Sequence, residues 1–127
     1  MRTLALAIVL AVAVPATATA GPDQKALAQT RIDAAARAFA STLTRWKAGT
    51  TTLDQVVGWS QRWLTALREQ PLKGSKLKVA LVEHLARMKD VQTTVTDMVG
   101  SGVASAADAE AMTYYVAEAE LWAARGK

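Results

Sequence analysis

Apolar residues return along this chain at alternating steps of three and four, and the rhythm breaks at two glycine turns. Ile32, Ala36, Phe39, Leu43 and Trp46 mark the seam of a first helix, expected to pack along its whole length. Asp23 after Pro22 suits its start, and Gly49 supplies a left-handed residue to end it. A second helix, about 53–69, turns Leu53, Val56, Ser60, Trp63 and Leu67 inward, with Val57 and Leu64 beside them. Gly58 lies inside this pattern, where its missing side chain leaves room for a neighbouring tryptophan. Pro71 and Gly74 close the element.

A third helix, about 75–99, keeps the period through Leu77, Leu81, Leu85, Met88, Val95 and Met98, with Val91 or Gln92 filling the gap. The stretch 91–96 is β-branched and has strand propensity by itself, but its flanks are helical and the sequence offers no second strand to pair with it. The last helix, about 106–125, has a small-residue seam of Ala109, Met112, Val116, Ala119 and Ala123. Tyr115 and Trp122 stand one heptad apart on an adjacent face, as do Tyr114 and Leu121.

The two glycine turns share one grammar. Gly49 is followed by Thr52 and Gln55, and Gly102 by Ser105 and Asp108, at the same spacings. In a capping box the hydroxyl accepts the amide three residues on, and that residue's side chain reaches back to the cap. Asp108 also sets a negative charge in the positive first turn of its helix. The repeat predicts an all-α fold of four antiparallel helices, built from two glycine-turn αα-hairpins running up-down-up-down. The alternative arrangement is an elongated pair of hairpins whose exposed seam needs a partner.

The first twenty residues belong to a different pattern. Arg2 precedes an unbroken apolar run from Leu4 to Val14, then Pro15 and Ala18-Thr19-Ala20. That is the layout of a signal peptide over 1–20, with Gly21 expected as the new N-terminus and 21–127 as the helical-hairpin or four-helix domain. The run falls short of the ~20 apolar residues that span a bilayer, which weighs against the alternative of an uncleaved N-terminal anchor. No later run approaches that length, so the domain is expected to be soluble, without a membrane span, in the periplasm or outside the cell. It has no cysteine, which excludes disulfides and thiol chemistry.

The formal charge of +4 is unevenly spread. Arg62, Arg68, Lys73, Lys76 and Lys78 gather in the middle, and Asp108, Glu110, Glu118 and Glu120 gather late. No stacking aromatics are interleaved with the basic residues, so nucleic acid is not the expected partner. A solvated basic face beside an acidic helix is the simpler reading, with an anion- or lipid-binding surface at Lys73, Lys76 and Lys78 as the competing one.

Catalytic patterns are sparse. His84 is the single histidine, and no nucleophile-elbow context surrounds a serine partner for it. It is expected on the flank of a packed helix. Met88 follows one turn later, so His84 and Met88 form the candidate centre of a periplasmic ligand or metal sensor, lacking a second histidine or a cysteine. Glu118 and Glu120 are two residues apart on a helix and point in different directions. No phosphate loop, zinc-protease motif or dinucleotide fingerprint occurs. The expectation is a non-enzyme with no catalytic residues and no cofactor.

The segment around Gly102, Ser105, Asp108 and the run AEAELW from Ala117 to Trp122 resembles the helical-hairpin repeat of TolC-like bacterial outer-membrane efflux proteins. Gly49, Thr52 and Asp54 or Gln55 look like a second copy of the same hairpin. That family is several times longer and carries barrel strands that this chain lacks, so the resemblance does not imply a channel. It implies a periplasmic helical-hairpin module that docks on other helices end-on or side-on. Self-association through helical faces is a further form of the same expectation. The contact residues expected for such a module are Trp59, Tyr114, Tyr115 and Trp122, because aromatic side chains anchor interfaces.

Overall fold

The computed structural model describes residues 23–71 and 74–127. They form α1 (Gln24–Lys47), α2 (Leu53–Arg68), α3 (Ser75–Gly100) and α4 (Ala106–Arg125). The expected signal peptide and Lys73 lie outside the described residues.

The local signals act as anticipated at most helix ends. The Asp23 carboxylate accepts from the Lys25 amide at 3.0 Å to open α1. Gly49 and Gly102 sit at φ 76° and 75°, the left-handed region that glycine enters without steric cost. Ser105 and Asp108 exchange both bonds of a capping box. At α2 only half of the box exists: Thr52 accepts from the Gln55 amide, with no return bond from the Gln55 side chain. The β-branched stretch of α3 is helical, and the hydroxyls of Thr93, Thr94 and Thr96 bond to the carbonyls one turn back.

Side-chain contacts give the topology. Within the first hairpin Arg31 pairs with Glu69, and Phe39 lies 6.2 Å from Trp63, so α1 and α2 are antiparallel. Within the second, His84 meets Trp122 and Lys89 reaches Glu120 at 3.9 Å. Across the hairpins, Tyr115 bonds Asp54, Gln61 bonds Glu118 and Arg68 covers Trp122, which sets α4 parallel to α2. The chain thus runs up-down-up-down. The two hairpins meet chiefly along α2 and α3.

The seam of α1 is shorter than its apolar period suggests. Ala35, Thr42 and Trp46 are buried, whereas Leu27 is exposed and Ile32 only half-buried. α1 packs chiefly on α2, so its apolar line is covered from one side, and its first turn reaches beyond Arg68, the last residue of α2. Gly58 also differs from expectation. A side chain there would meet the Arg62 guanidinium at 3.3 Å, because Arg62 folds back over the Trp59 ring.

Two apolar clusters fill the interior. The larger joins Trp46, Val56, Val57, Met88, Val91, Val95, Met112, Val116 and Ala119 near the glycine turns. The smaller joins Leu64, Ala80 and Leu81, with Leu67, Leu77, Trp122 and Ala123 packed against it. Val91, not Gln92, occupies the gap in the α3 seam. Full burial of each such aliphatic side chain is worth ~1.5–3 kcal/mol.

Candidate functional site

Between the two apolar clusters lies a polar layer. Ser60 falls on α2 between Val57 and Leu64, and His84 falls on α3 between Leu81 and Met88. Both positions continue the buried stripe of their helix, which is why the side chains point inward. Ser60 is 0% and His84 1% exposed. His84 therefore belongs to the core, not to the flank of its helix. Spacing carries the reason: Ala80, His84, Met88, Val91 and Val95 step by four and three along one line.

Ser60 Oγ stands 2.8 Å from His84 Nδ1 and accepts from Arg87 Nε, also at 2.8 Å. A guanidinium is always a donor, so the Ser60 hydroxyl proton is free to point at the histidine. In that orientation Nδ1 accepts and the ring proton sits on Nε2; in the other tautomer Nδ1–H donates to the second lone pair of the same oxygen. Burial, then the charges of Arg87 and Arg68, push His84 down to about 4. The ring is neutral at physiological pH. It packs 5.7 Å from Trp122, whose other neighbour is the Arg68 guanidinium at 4.8 Å.

Arg87 is held from both sides. Its guanidinium lies 3.9 Å from the centre of the Trp63 ring and 5.9 Å from that of Phe39. Burial lowers it to about 10, against the opposing pull of Glu83 one turn back. Arg68 is lowered by burial and raised by Glu118. It donates to the Lys127 carbonyl at 2.6 Å. Arg87 Nη2 and Arg68 Nε are buried without a hydrogen-bond partner among the described residues.

A serine beside a histidine is the residue pairing of a hydroxyl nucleophile and its base. The hydroxyl already accepts from an arginine, the imidazole is a weak base, and neither group meets solvent. Met88, the other half of the candidate metal pair, is fully buried in the larger apolar cluster, while Glu83 is exposed. Among the described residues no three histidine, cysteine, aspartate or glutamate side chains converge on a point. None of the described helices is long and apolar enough to cross a membrane.

The aromatic residues expected at an interface divide into two groups. Trp122 is half-buried between His84 and Arg68, and Tyr115 is half-buried with its hydroxyl 3.5 Å from Asp54. Trp59 is half-buried beneath Arg62. Tyr114 alone is turned outward, 63% exposed, and meets Tyr115 edge-on at 5.4 Å. Its hydroxyl donates to Glu118 at 3.2 Å, which pushes the phenol above its usual range.

Tyr114 belongs to a second apolar line on α4. Ala107, Tyr114, Ala117, Leu121 and Ala124, with Glu110 among them, are all exposed. They recur at steps of three and four on the side away from Met112, Val116 and Ala119. A shallow hollow on this side is lined by Tyr114, Ala117, Glu118, Leu121, Trp122 and Arg125. Comparison with protein families, characterised proteins and solved structures gives no match.

Sequence reasoning placed Ser60 inward but missed its partners. A serine in the middle of an apolar helical face is itself a signal, since a buried hydroxyl needs a bond. Arg87 carries no such signal: three residues beyond His84, it reads as a surface charge until Trp63 and Phe39 are set beside it.

Proposed function

We propose that this chain is an exported, non-catalytic interaction module whose outer helix docks on another protein surface. The observation that carries the reading is α4, which is apolar on both sides although only one side is packed. Tyr114 and Leu121 are 63% and 51% exposed there, whereas a helix at a protein surface ordinarily turns polar residues to water. The burial of Ser60 and His84 supports a non-catalytic role, because the residues best suited to chemistry have no access to a substrate. Export rests on the sequence pattern of residues 1–20. Association with the cell envelope rests on the hairpin resemblance around Gly102, Ser105 and Asp108.

A photo-crosslinking amino acid at Tyr114, in cells producing the full-length chain, tests the docking surface. A discrete adduct at Tyr114, absent when the probe is at Arg37 on α1, is the expected outcome; no adduct at Tyr114 refutes the reading. Fractionation with N-terminal sequencing tests export, for which Gly21 is the expected first residue.

A further inference from the structure

We infer that the partner on the outer side of α4 is α4 of a second copy of this chain, packed antiparallel about a two-fold axis. The inference rests on reading the chain as an interaction module and names the occupant of that same surface. Its basis is that the face is complementary to itself. The acids of α4 are mostly engaged within the chain: Asp108 in the capping box, Glu118 with Gln61 and Tyr114, Glu120 with Lys89. Glu110 and Arg125 form no ion pair among the described residues. Glu110 lies on the exposed line before Tyr114, and Arg125 is exposed beside its far end, fifteen residues on and about 22 Å along the helix.

An antiparallel copy brings each Glu110 beside the partner's Arg125, and each Arg125 beside the partner's Glu110. Between these charged ends, Tyr114 and Leu121 supply the large apolar surface and Ala117 the low ground that lets two helices approach. A parallel pairing would oppose Glu110 to Glu110 and Arg125 to Arg125. The arrangement is isologous and therefore closes at two chains. One helical face is smaller than the ~800 Å² per partner of a standard interface, so the dimer dissociates on dilution.

Sedimentation of the protein purified from cells producing the full-length chain, across the micromolar range, tests this. The expected result is a monomer–dimer equilibrium. Glu110→Arg and Arg125→Glu, each alone, loosen it roughly tenfold or more, and the double variant recovers it. Leu121→Arg abolishes it with the helical circular dichroism unchanged. A monomer at every concentration, or a dimer indifferent to the single reversals, overturns the proposal. A Tyr114 adduct to a different protein would overturn it too, while leaving the interaction reading in place.

Discussion

Ser60 on α2 and His84 on α3 share a 2.8 Å hydrogen bond at the level where the two hairpins meet, and Arg87 donates to the same hydroxyl. This is the only polar layer between the two apolar clusters among the described residues. Its energetic meaning is asymmetric. Formed, the bonds contribute modestly; broken one partner at a time, they leave a buried group unsatisfied.

Ser60→Ala is accordingly expected to cost about 2–3 kcal/mol, since it strands both His84 Nδ1 and Arg87 Nε. Urea denaturation of Ser60→Ala, His84→Leu and the double variant measures the coupling. The double variant should be less destabilised than the sum of the singles. Additive losses would mean the layer does not act as a unit.

Acid should weaken the fold before the carboxylates titrate. His84 is held at about 4 when folded, against an ordinary 6.5 when unfolded. Between these values the unfolded chain binds the extra proton, so stability rises with pH. The full contribution is present above pH 6.5 and declines as pH falls toward 4, by about 3 kcal/mol in total. Denaturation midpoints between pH 7 and 5 should show this slope, and His84→Gln should flatten it. A histidine titrating at its ordinary value in the folded protein by NMR would contradict the assignment.

Arg87→Lys keeps the charge and loses the fork. An ammonium cannot both lie flat over Trp63 and present an Nε–H to Ser60. We expect a loss of about 1–2 kcal/mol with an altered Trp63 environment in fluorescence. Equal stability would show that the charge, not the planar group, is what the site uses.

Gly100 and Gly102 should respond to alanine in opposite directions. Gly102 needs φ 75°, so Gly102→Ala is strained although nothing lies within 4 Å of the added carbon; about 1–2 kcal/mol is lost. Gly100 is helical in equally open space, so Gly100→Ala should gain up to about 1 kcal/mol. Thermal melts of the two variants separate backbone geometry from packing at one turn.

The helices themselves were legible because their causes are local. Asp23, Thr52 and Ser105 cap, Gly49 and Gly102 turn, and the three–four rhythm selects Val56, Leu81, Met88 and Met112 for the interior. The Ser60–His84–Arg87 layer was not legible, because it depends on the register of α2 against α3, and no spacing within either helix encodes that. The shorter seam of α1 was missed for a related reason. Its period continues through Ile32, but burial requires neighbours on both flanks, and α1 packs chiefly on α2 alone. His84 could have been placed by continuing the line through Ala80 and Met88 instead of the one through Leu81 and Leu85.

Each hairpin pairs a helix with the next one in the chain, across a turn that its own glycine and cap define. Contacts of this kind span few residues, so little loop entropy is lost in forming them, and bundles built this way have low contact order and fold within microseconds to milliseconds. Each rod pair can therefore form around its own turn without waiting for the other. The bond between Ser60 and His84 is the clasp that ties one rod pair to the other.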